Sequence, residues 1–241
     1  MNKIEFSLIL PCYNEGATLE KSVGDIMKVI KNLKLSSEII FVEDKSTDDT
    51  KKSVEKLVAN TKGSRAIYHK KNEGRGKAVG DGIRASYGEI CGYIDVDCEI
   101  SPSYIPVFIS EIKNGSDMAV GMRFYENSLK STHRVILSNA YSFVVSKLLD
   151  IPIADTESGY KFFRRSKILP VLKKTRDSHW FWDTEICARA SLAGLKIEEL
   201  PVFFRKRAEK QSTVKIFSDS IDYLKKIVKF RKEINKTKIS G

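Results

Sequence analysis

Short apolar runs alternate along this chain with longer segments in which apolar and charged residues recur at helical spacing. In the first such segment, Leu19, Val23, Ile26 and Ile30 fall on one face of a helix. Uninterrupted apolar strands that alternate with amphipathic helices are typical of a parallel sheet with helices on both faces. The pattern therefore predicts one α/β domain built on a Rossmann-like, mostly parallel sheet. Its predicted strands are residues 6–10, 38–42, 66–69, 90–94, 118–120 and 197–202.

Capping residues and apolar spacing set the expected helix boundaries. Thr18 is the candidate N-cap of the first helix, and Ser46 or Thr47 of the second. Apolar spacing also predicts a helix over residues 133–149 and another from Val214 onward, with Ile227 and Val228 on one apolar face of the latter. We therefore expect a catalytic domain over residues 1–213, followed by a helical tail over residues 214–241.

Polar motifs follow each of the first four predicted strands. Ligands of such sheets bind beyond the carboxyl ends of the strands, and all four motifs fall at that edge. Turn chemistry alone explains Pro11 and Asn14, but it does not explain acidic residues at the ends of two strands of one sheet. We therefore expect one shared ligand site there. The four motifs are residues 11–16, 43–50, 72–77 and 95–99.

The motif at residues 95–99 carries three carboxylates at alternate positions, Asp95, Asp97 and Glu99. Alternate side chains of an extended chain point to the same side, so these three are expected to converge. Converging carboxylates repel one another unless a hard cation joins them, and Mg²⁺ or Mn²⁺ is the natural partner. A bare Asp-x-Asp is common and is also typical of a solvated strand end. The other motifs must therefore decide between the two interpretations.

The composition of the chain limits the classes of function. Its 241 residues carry a net charge of +11, which indicates an anionic partner such as a phosphorylated substrate, an acidic membrane or a nucleic acid. No basic aromatic strand, zinc finger or helix-turn-helix pattern is present, so nucleic acid is not favoured. The four cysteines lack C-x-x-C spacing and are expected to be reduced, in a cytosol-like compartment. Met1 leads almost directly into a strand, and no apolar run reaches transmembrane length, so we expect neither a signal peptide nor a membrane span.

Taken in order, the motifs resemble those of the family-2 inverting glycosyltransferases of the GT-A fold. The resemblance covers residues 4–215, nearly the whole expected domain. Two motifs further along, at residues 155–162 and at Arg207 with 212–214, are similar to those of dolichyl- or polyprenyl-phosphate sugar synthases. Two residues depart from the family pattern. Glu43 stands where the family often has Asp, and Glu99 stands where mannosyl members carry a Gln that binds the metal.

The resemblance implies a role for each matching residue. Asp95, Asp97 and Glu99 would hold Mg²⁺ or Mn²⁺. The acceptor phosphate would contact Arg123, Arg134 and Ser138. Asp155, with Asp97 and Arg123, would form the catalytic set, in which Asp155 acts either as a base or as an orienting group. The donor would contact Pro11, Tyr13, Glu15, Val42, Asp44, Lys77, Asp95 and Arg207.

The implied activity is transfer of a hexose, with inversion, from a nucleotide sugar to dolichyl or polyprenyl phosphate. A glycan or polysaccharide acceptor is the alternative. GDP-mannose and UDP-glucose types of donor both remain open, because the motifs at 72–77 and 159–162 favour the glucosyl branch while Ser158 favours the mannosyl branch.

The tail from Arg205 onward is the most basic part of the chain. It holds twelve Lys or Arg residues and four Asp or Glu residues, which gives +8 of the total +11. A basic amphipathic helix there is expected to bind an anionic membrane, which would place the protein peripherally at the cytosolic face. Its apolar face is also expected to pack on the domain, and both roles can hold together. The alternative is that a separate membrane-spanning subunit brings the protein to the lipid.

Overall fold

A computed structural model of the chain describes residues 3–125, 148–205 and 216–239, and within them a seven-stranded sheet is flanked by helices. The strands are Phe6–Cys12 (β1), Ser37–Glu43 (β2), Ser64–Tyr68 (β3), Ile90–Ile94 (β4), Met118–Tyr125 (β5), Tyr160–Arg164 (β6) and Ile197–Phe204 (β7). The helices are Leu19–Asn32 (α1), Thr50–Asn60 (α2), Arg75–Ala85 (α3), Ile105–Lys113 (α4), Arg165–Leu172 (α5), Trp182–Leu192 (α6) and Ile216–Ile239 (α7). A 3₁₀ turn, Pro102–Tyr104, precedes α4.

The strand order is β3-β2-β1-β4-β6-β5-β7. β1 pairs in parallel with both β2 and β4, and β2 pairs in parallel with β3. β5 pairs in parallel with β7. β6 is inserted between β4 and β5 and runs antiparallel to both. The mostly parallel α/β fold is thus confirmed. Because β6 runs the other way, its first residues lie at the same sheet edge as the carboxyl ends of β4 and β5.

The central strands bury side chains on both faces, as their uninterrupted apolar sequence predicts. Leu8 and Leu10 of β1 pack in a core that includes Ile26 of α1 and Phe108 of α4. Ile9, between them in sequence, belongs to a second core on the opposite face, with α3, α5 and α6. Each fully buried Leu or Ile contributes roughly 1.5–3 kcal/mol relative to an exposed one. The two cores together fix the sheet edge at which the polar motifs lie.

One expected helix cap and one expected helix start differ in the structure. Thr18 occupies the N-cap position of α1, but its side chain makes no capping hydrogen bond. Helix α2 begins at Thr50, so the prediction that Ser46 or Thr47 begins it is wrong. Ser46 and Thr47 contact Asn14 across the sheet edge instead. These residues serve a contact between loops, which spacing along the chain cannot reveal.

Helix α7 packs one side on the domain. Ile227, Phe230 and Ile234 are buried in a small core with Phe181 and Ala188. Val228, which the sequence places on the same apolar face as Ile227, is 49% exposed. The expected single apolar face is therefore wrong at that position, and the face turned toward the domain is the one defined by Ile227, Phe230 and Ile234.

The helix predicted over residues 133–149 falls almost wholly outside the described residues. Among the helices that are described, none combines the length and the apolar character needed to cross a bilayer.

Candidate active site

A cleft of about 410 Å³ opens at the carboxyl ends of β1, β2 and β4. It brings together residues from all four of the predicted motifs, together with a segment just before α6. The expectation of one shared site at this edge is met in the described part of the chain. The cleft is lined by Pro11, Cys12, Tyr13, Asn14, Glu15, Asp44, Asn72, Gly74, Arg75, Ala78, Asp95, Val96, Asp97, His179 and Trp180.

One wall of the cleft is built by two loops that bind each other. The backbone N–H of Thr47 donates to Asn14 Oδ1 (2.9 Å), and that of Asn14 donates to Ser46 Oγ (3.1 Å). Asp48 accepts hydrogen bonds from the Gly16 N–H (3.0 Å) and from Thr50. Burial alone would raise the pKa of Asp48, but these hydrogen bonds outweigh it and lower the pKa. The contacts fix the loop that carries Tyr13, whose side chain is 45% exposed at the cleft.

Asp44 lies in the cleft wall, but its carboxylate is already fully engaged. It accepts hydrogen bonds from the backbone N–H groups of Glu73 (2.7 Å) and Gly74 (2.8 Å) and from His69 Nδ1 (2.6 Å). Asp44 therefore ties β2 to the loop that begins α3. In this structure its carboxylate shapes the cleft wall and does not point freely into the cleft.

Two predicted donor contacts lie away from the cleft. The side chain of Val42 is fully buried in the core that β2 shares with α3. Strand residues alternate between faces, and this position faces the core. The ammonium of Lys77 pairs with Asp81 one helical turn along α3, and Lys77 does not line the cleft. A side-chain contact of Val42 or Lys77 with the donor does not fit these positions.

Asp95 and Asp97 both line the cleft, but Glu99 does not join them. No group of three or more His, Cys, Asp or Glu side chains among the described residues could hold a metal ion. The predicted convergence of three carboxylates is therefore wrong. β4 ends at Ile94, and the chain then turns, because the Cys98 N–H donates to the Asp95 carbonyl (3.1 Å) and Cys98 has φ 53°. The alternation of an extended strand does not continue through such a turn.

The remaining pair, Asp95 and Asp97, still provides the oxygen ligands that Mg²⁺ and Mn²⁺ prefer. Asp95 lies at the floor of the cleft, with its side chain 41% exposed. Partial burial and the neighbouring Asp97 carboxylate raise the pKa of Asp95, while Arg75 opposes this shift. A cation between the two aspartates would relieve their repulsion, so the donor set fits a divalent metal.

Gly159 contacts Asp95 through both its backbone and the space left by its missing side chain. The Asp95 N–H donates to the Gly159 carbonyl (3.1 Å), and a Cβ on Gly159 would lie 1.8 Å from Asp95 Oδ2. No residue other than glycine can allow this close approach without moving the aspartate. Gly159 thus explains one position of the motif at residues 155–162.

The same loop begins with Asp155, which is buried and holds Arg123. The Arg123 Nε and Nη2 donate to the two Asp155 carboxylate oxygens (2.7 and 2.8 Å), and Glu157 lies 3.8 Å from Arg123 Nη2. Arg123 lies inside β5, although the sequence places it after the strand. Burial alone would lower the pKa of Arg123, but Asp155 outweighs it and the pKa is raised. Loop 155–159 therefore joins the Arg123 site to the carboxylates of the cleft.

Three charged or aromatic residues of the cleft had no individual role in the sequence-based prediction. Arg75 donates to Asp95 through Nε (2.8 Å) and Nη2 (2.6 Å), while His179 and Trp180 line the cleft beside it. The available signal was Gly76, because a Cβ there would lie 2.3 Å from the Trp182 Cβ. A glycine at this position indicates that another element packs closely against α3. Only the structure shows that this element is α6, and that the packing brings Arg75, His179 and Trp180 together.

Three predicted site residues lie outside the described part of the chain. They are Arg134 and Ser138, assigned to the acceptor phosphate, and Arg207, assigned to the donor. Their roles stay predictions.

A family model described as Glycosyl transferase family 2 matches residues 7–170, which is more than half of the chain. The chain belongs to glycosyl transferase family 2. The matched segment contains every described cleft residue except His179 and Trp180.

Two proteins with similar sequences are named as sugar transferases. Glycosyltransferase AglD of Haloferax volcanii is 28% identical over 211 residues, which covers 86% of this chain and 34% of that protein. The chain thus spans about a third of that relative. Dolichyl-phosphate beta-glucosyltransferase of Dictyostelium discoideum is 30% identical over 247 residues, which covers 96% of this chain and 75% of that protein.

A solved structure shows the same fold. Glucosyl-3-phosphoglycerate synthase of Mycobacterium tuberculosis, crystallised with Mn²⁺, UDP and glucosyl-3-phosphoglycerate, superposes with a TM-score of 0.63. The match is 20% identical and covers 86% of this chain and 73% of the other. This likeness assigns the GT-A fold to the family-2 domain described above.

Proposed function

We propose that this family-2 glycosyltransferase moves a hexose from a nucleotide sugar to a dolichyl- or polyprenyl-type phosphate, with inversion, at the cytosolic face of a membrane. The observation that carries the proposal is the loop at residues 155–159. It holds the guanidinium of Arg123 at one end and supports Asp95 of the cleft at the other. Transfer between two phosphate-bearing reactants requires such a cationic site next to a metal-compatible one.

The cleft is the proposed donor site. Tyr13 and Trp180 present exposed aromatic surface at its rim, suited to stacking on a nucleobase or a sugar ring. Asp95 and Asp97 would hold Mg²⁺ or Mn²⁺ there. Bound in this way, the cation would stabilise the negative charge of the leaving nucleoside diphosphate. Support for this donor class comes from the structural neighbour crystallised with Mn²⁺ and UDP.

The acceptor phosphate is the proposed partner of Arg123. Asp155 engages the Nε–Nη2 edge of the guanidinium. The Nη1–Nη2 edge would bind phosphate at two points, which a lysine cannot do. A phosphomonoester has a second pKa of about 6, so it is already ionised near neutrality and needs no strong base. Its oxygen attacks the anomeric carbon from the side opposite the diphosphate. The new carbon–oxygen bond forms as the bond to the diphosphate breaks, which inverts the configuration.

Helix α7 is the proposed route to a lipid acceptor. Ile227 and Phe230 dock it on the domain, while Lys229, Arg231 and Lys232 remain exposed. These cations are suited to anionic lipid headgroups. The name of the Dictyostelium relative supports a lipid phosphate as the acceptor.

The proposal is tested by a transfer assay with purified protein. UDP-glucose, GDP-mannose and UDP-N-acetylglucosamine are each incubated with a short polyprenyl phosphate and Mg²⁺ or Mn²⁺. The expected product is a lipid phosphosugar of inverted anomeric configuration, detected by mass spectrometry and NMR. Transfer to an oligosaccharide, with none to the lipid phosphate, would instead support the glycan acceptor. No transfer from any of the nucleotide sugars would overturn the proposal.

A further inference from the structure

Four charged side chains of alternating sign form a buried row that ends in the cleft. Lys161 Nζ donates to Asp183 Oδ1 (2.8 Å), and Arg75 Nη1 donates to Asp183 Oδ2 (2.5 Å). Arg75 then donates to Asp95 through Nε and Nη2. The side chain of Lys161 is 0% exposed, that of Asp183 is 2% and that of Arg75 is 14%. The row therefore connects the protein interior with the proposed metal ligand Asp95.

The elements that carry this row are packed tightly enough to hold it. Lys161 on β6 is paired with Tyr93 on the adjacent strand β4, and its ammonium donates to the Tyr93 hydroxyl (3.0 Å). Arg75 begins α3 and Asp183 lies in the first turn of α6, where Gly76 allows the two helix starts to touch. An anion near a helix N-terminus is favourable, which stabilises Asp183 further. Arg75 is thus anchored at its inner end by Asp183.

The charges of the row are balanced within the described residues that form it: two cations meet two carboxylates. Burial alone would raise the pKa of Asp183, but Arg75 and Lys161 outweigh it, and the pKa is lowered. Asp183 is therefore ionised, and it is shared between Lys161 and Arg75. Arg75 also makes a cation–π contact with the exposed Trp180, whose ring centroid lies 5.6 Å from the Arg75 Cζ. Arg75 and Asp95 line the cleft, whereas Lys161 and Asp183 are buried beneath it.

We propose that Arg75 is the internal counter-cation of Asp95 and couples the binding of a divalent cation to the binding of the donor diphosphate. A cation that binds alone competes with Arg75 for Asp95. A diphosphate offers Arg75 a replacement anion, so cation and diphosphate bind together more tightly than either binds alone. Lys161 and Asp183 are positioning residues, which hold the guanidinium at the cleft. This inference rests on the proposed function, since it assumes that the cleft receives a nucleoside diphosphate.

The main test measures Mn²⁺ binding by electron paramagnetic resonance, without sugar transfer. Wild type and Arg75→Gln are titrated with Mn²⁺ alone and with Mn²⁺ in the presence of UDP or GDP. We expect wild type to bind Mn²⁺ at least about tenfold more tightly when a nucleoside diphosphate is present. Arg75→Gln should bind Mn²⁺ alone about tenfold more tightly than wild type does, because the competing cation is gone. The enhancement by nucleotide should be largely lost in this variant.

Arg84→Gln is the matched control. Arg84 is on the same helix, and its side chain is 46% exposed and paired with Asp81 outside the cleft. The substitution removes the same charge, so it should leave Mn²⁺ binding as in wild type. Arg75→Lys keeps the charge but loses the fork, and it should fall between wild type and Arg75→Gln.

The positioning role of Lys161 and Asp183 needs a charge-balanced variant, because Asp183→Asn alone would leave the buried Lys161 without its anionic partner and destabilise the protein. Lys161→Met with Asp183→Asn removes one cation and one anion together. This double variant should be folded by circular dichroism and should bind Mn²⁺ alone more tightly than wild type, since Arg75 is less firmly held. A double variant with wild-type Mn²⁺ binding would contradict the positioning role.

The outcomes separate this inference from the proposed function. If wild type transfers sugar but Arg75→Gln binds Mn²⁺ alone no more tightly than wild type does, the coupling role of Arg75 is overturned while the function stands. If neither UDP nor GDP changes Mn²⁺ binding to wild type, and no nucleotide sugar is used, the proposed function is itself overturned.

Discussion

Asp155 holds Arg123 by three hydrogen bonds, because its carboxylate accepts the guanidinium at Nε and Nη2 and also the Arg123 backbone N–H (3.0 Å). The Asp155 N–H in turn donates to Glu199 (2.9 Å). A carboxylate with both oxygens engaged in this way is suited to orienting an arginine rather than to taking a proton from the substrate. Of the two roles expected for Asp155, the geometry favours the orienting one.

Asp155→Asn tests that choice. An orienting role predicts that the apparent KM for the acceptor phosphate rises by about tenfold or more, because the charge-assisted pair with Arg123 is lost. The shape of the dependence of kcat on pH should not change. Steady-state kinetics with polyprenyl phosphate from pH 6 to pH 9 measure both quantities.

The control for this substitution is Asp150→Asn, the same change at an exposed position with φ 55°, which asparagine tolerates. Loss of the acidic limb of the pH profile in Asp155→Asn, with KM unaltered, would show that Asp155 is the base after all.

Gly159→Ala should inactivate the enzyme by displacing Asp95. The added methyl group would lie 1.8 Å from Asp95 Oδ2, so the carboxylate must move away from Arg75. We expect a loss of turnover of at least about tenfold and a destabilisation of roughly 1–3 kcal/mol from overpacking. Urea denaturation and the transfer assay measure the two effects.

Gly24→Ala is the comparison for this variant. Gly24 lies in α1, and a Cβ there would meet nothing within 4 Å. This substitution should leave activity as in wild type and stabilise the helix by about 0.5–1 kcal/mol. Full activity of Gly159→Ala would mean that the position of Asp95 is not critical.

Metal dependence follows from the cleft position of Asp97. We expect transfer to stop in chelator and to return with added Mg²⁺ or Mn²⁺. Asp97→Asn removes a charged oxygen ligand and should reduce kcat by about 100-fold or more, with an unchanged circular dichroism spectrum. Full activity of Asp97→Asn in the presence of chelator would exclude a role for the metal. Glu99→Gln should have a smaller effect than Asp97→Asn, because Glu99 does not line the cleft.

The buried row predicts how stability depends on pH. The pKa of Asp183 is lowered from its ordinary value of 3.8 in the folded protein. Its contribution to stability is therefore fully present above that ordinary value and is lost as the pH falls through the lower, folded pKa. Asp183→Asn should cost about 3–5 kcal/mol at pH 7, since it leaves buried cations underpaired.

Urea unfolding at pH 7, 5, 4 and 3 tests this dependence. The difference between wild type and Asp183→Asn should be constant from pH 7 to pH 5 and should shrink below about pH 4. The exposed control Asp150→Asn should differ little from wild type throughout. A difference that instead grew as the pH fell would contradict an ionised Asp183.

Much of the fold and the place of the site could be predicted because both depend on local pattern. Apolar strands that alternate with helices fix the sheet, and parallel strands carry their terminal residues to one edge, so Pro11, Asp44 and Asp95 meet in one cleft. The prediction for Glu99 failed because it extended strand geometry past Ile94. A turn begins there, in which Cys98 adopts a left-handed conformation. Glycine is the usual residue in that conformation, so a cysteine gives no sign of the turn in the sequence.

The buried row was beyond sequence reasoning for a different reason. Arg75 contacts Asp95 and Asp183, which lie 20 and 108 residues further along the chain. No local spacing relates residues at these separations. Lys161 reads as an ordinary charged residue at the start of a strand, and only the register of β6 against β4 shows that it is buried beside Tyr93.

The last prediction concerns how the protein reaches a lipid acceptor. Helix α7 exposes three cations, Lys229, Arg231 and Lys232. Lys226 on the same helix instead forms a salt bridge with Asp177 (2.5 Å). Attraction between exposed cations and anionic lipid weakens with salt, because the Debye length falls from about 10 Å at 0.1 M to about 3 Å at 1 M. We therefore expect the protein to sediment with anionic liposomes at low salt and to be released at high salt.

Charge reversal locates the membrane-binding surface. Lys229→Glu, Arg231→Glu and Lys232→Glu together should weaken sedimentation and slow transfer to long-chain acceptors, while transfer to short soluble acceptors is unchanged. The control reverses Lys31, Lys62 and Lys113, which are exposed near the carboxyl ends of α1, α2 and α4. Helices of this fold run back toward the amino edge of the sheet, so these control positions lie away from the cleft. Equal binding to neutral and anionic liposomes, or an equal effect of both triple variants, would mean that α7 does not direct the protein to the membrane and would favour a separate membrane-spanning partner.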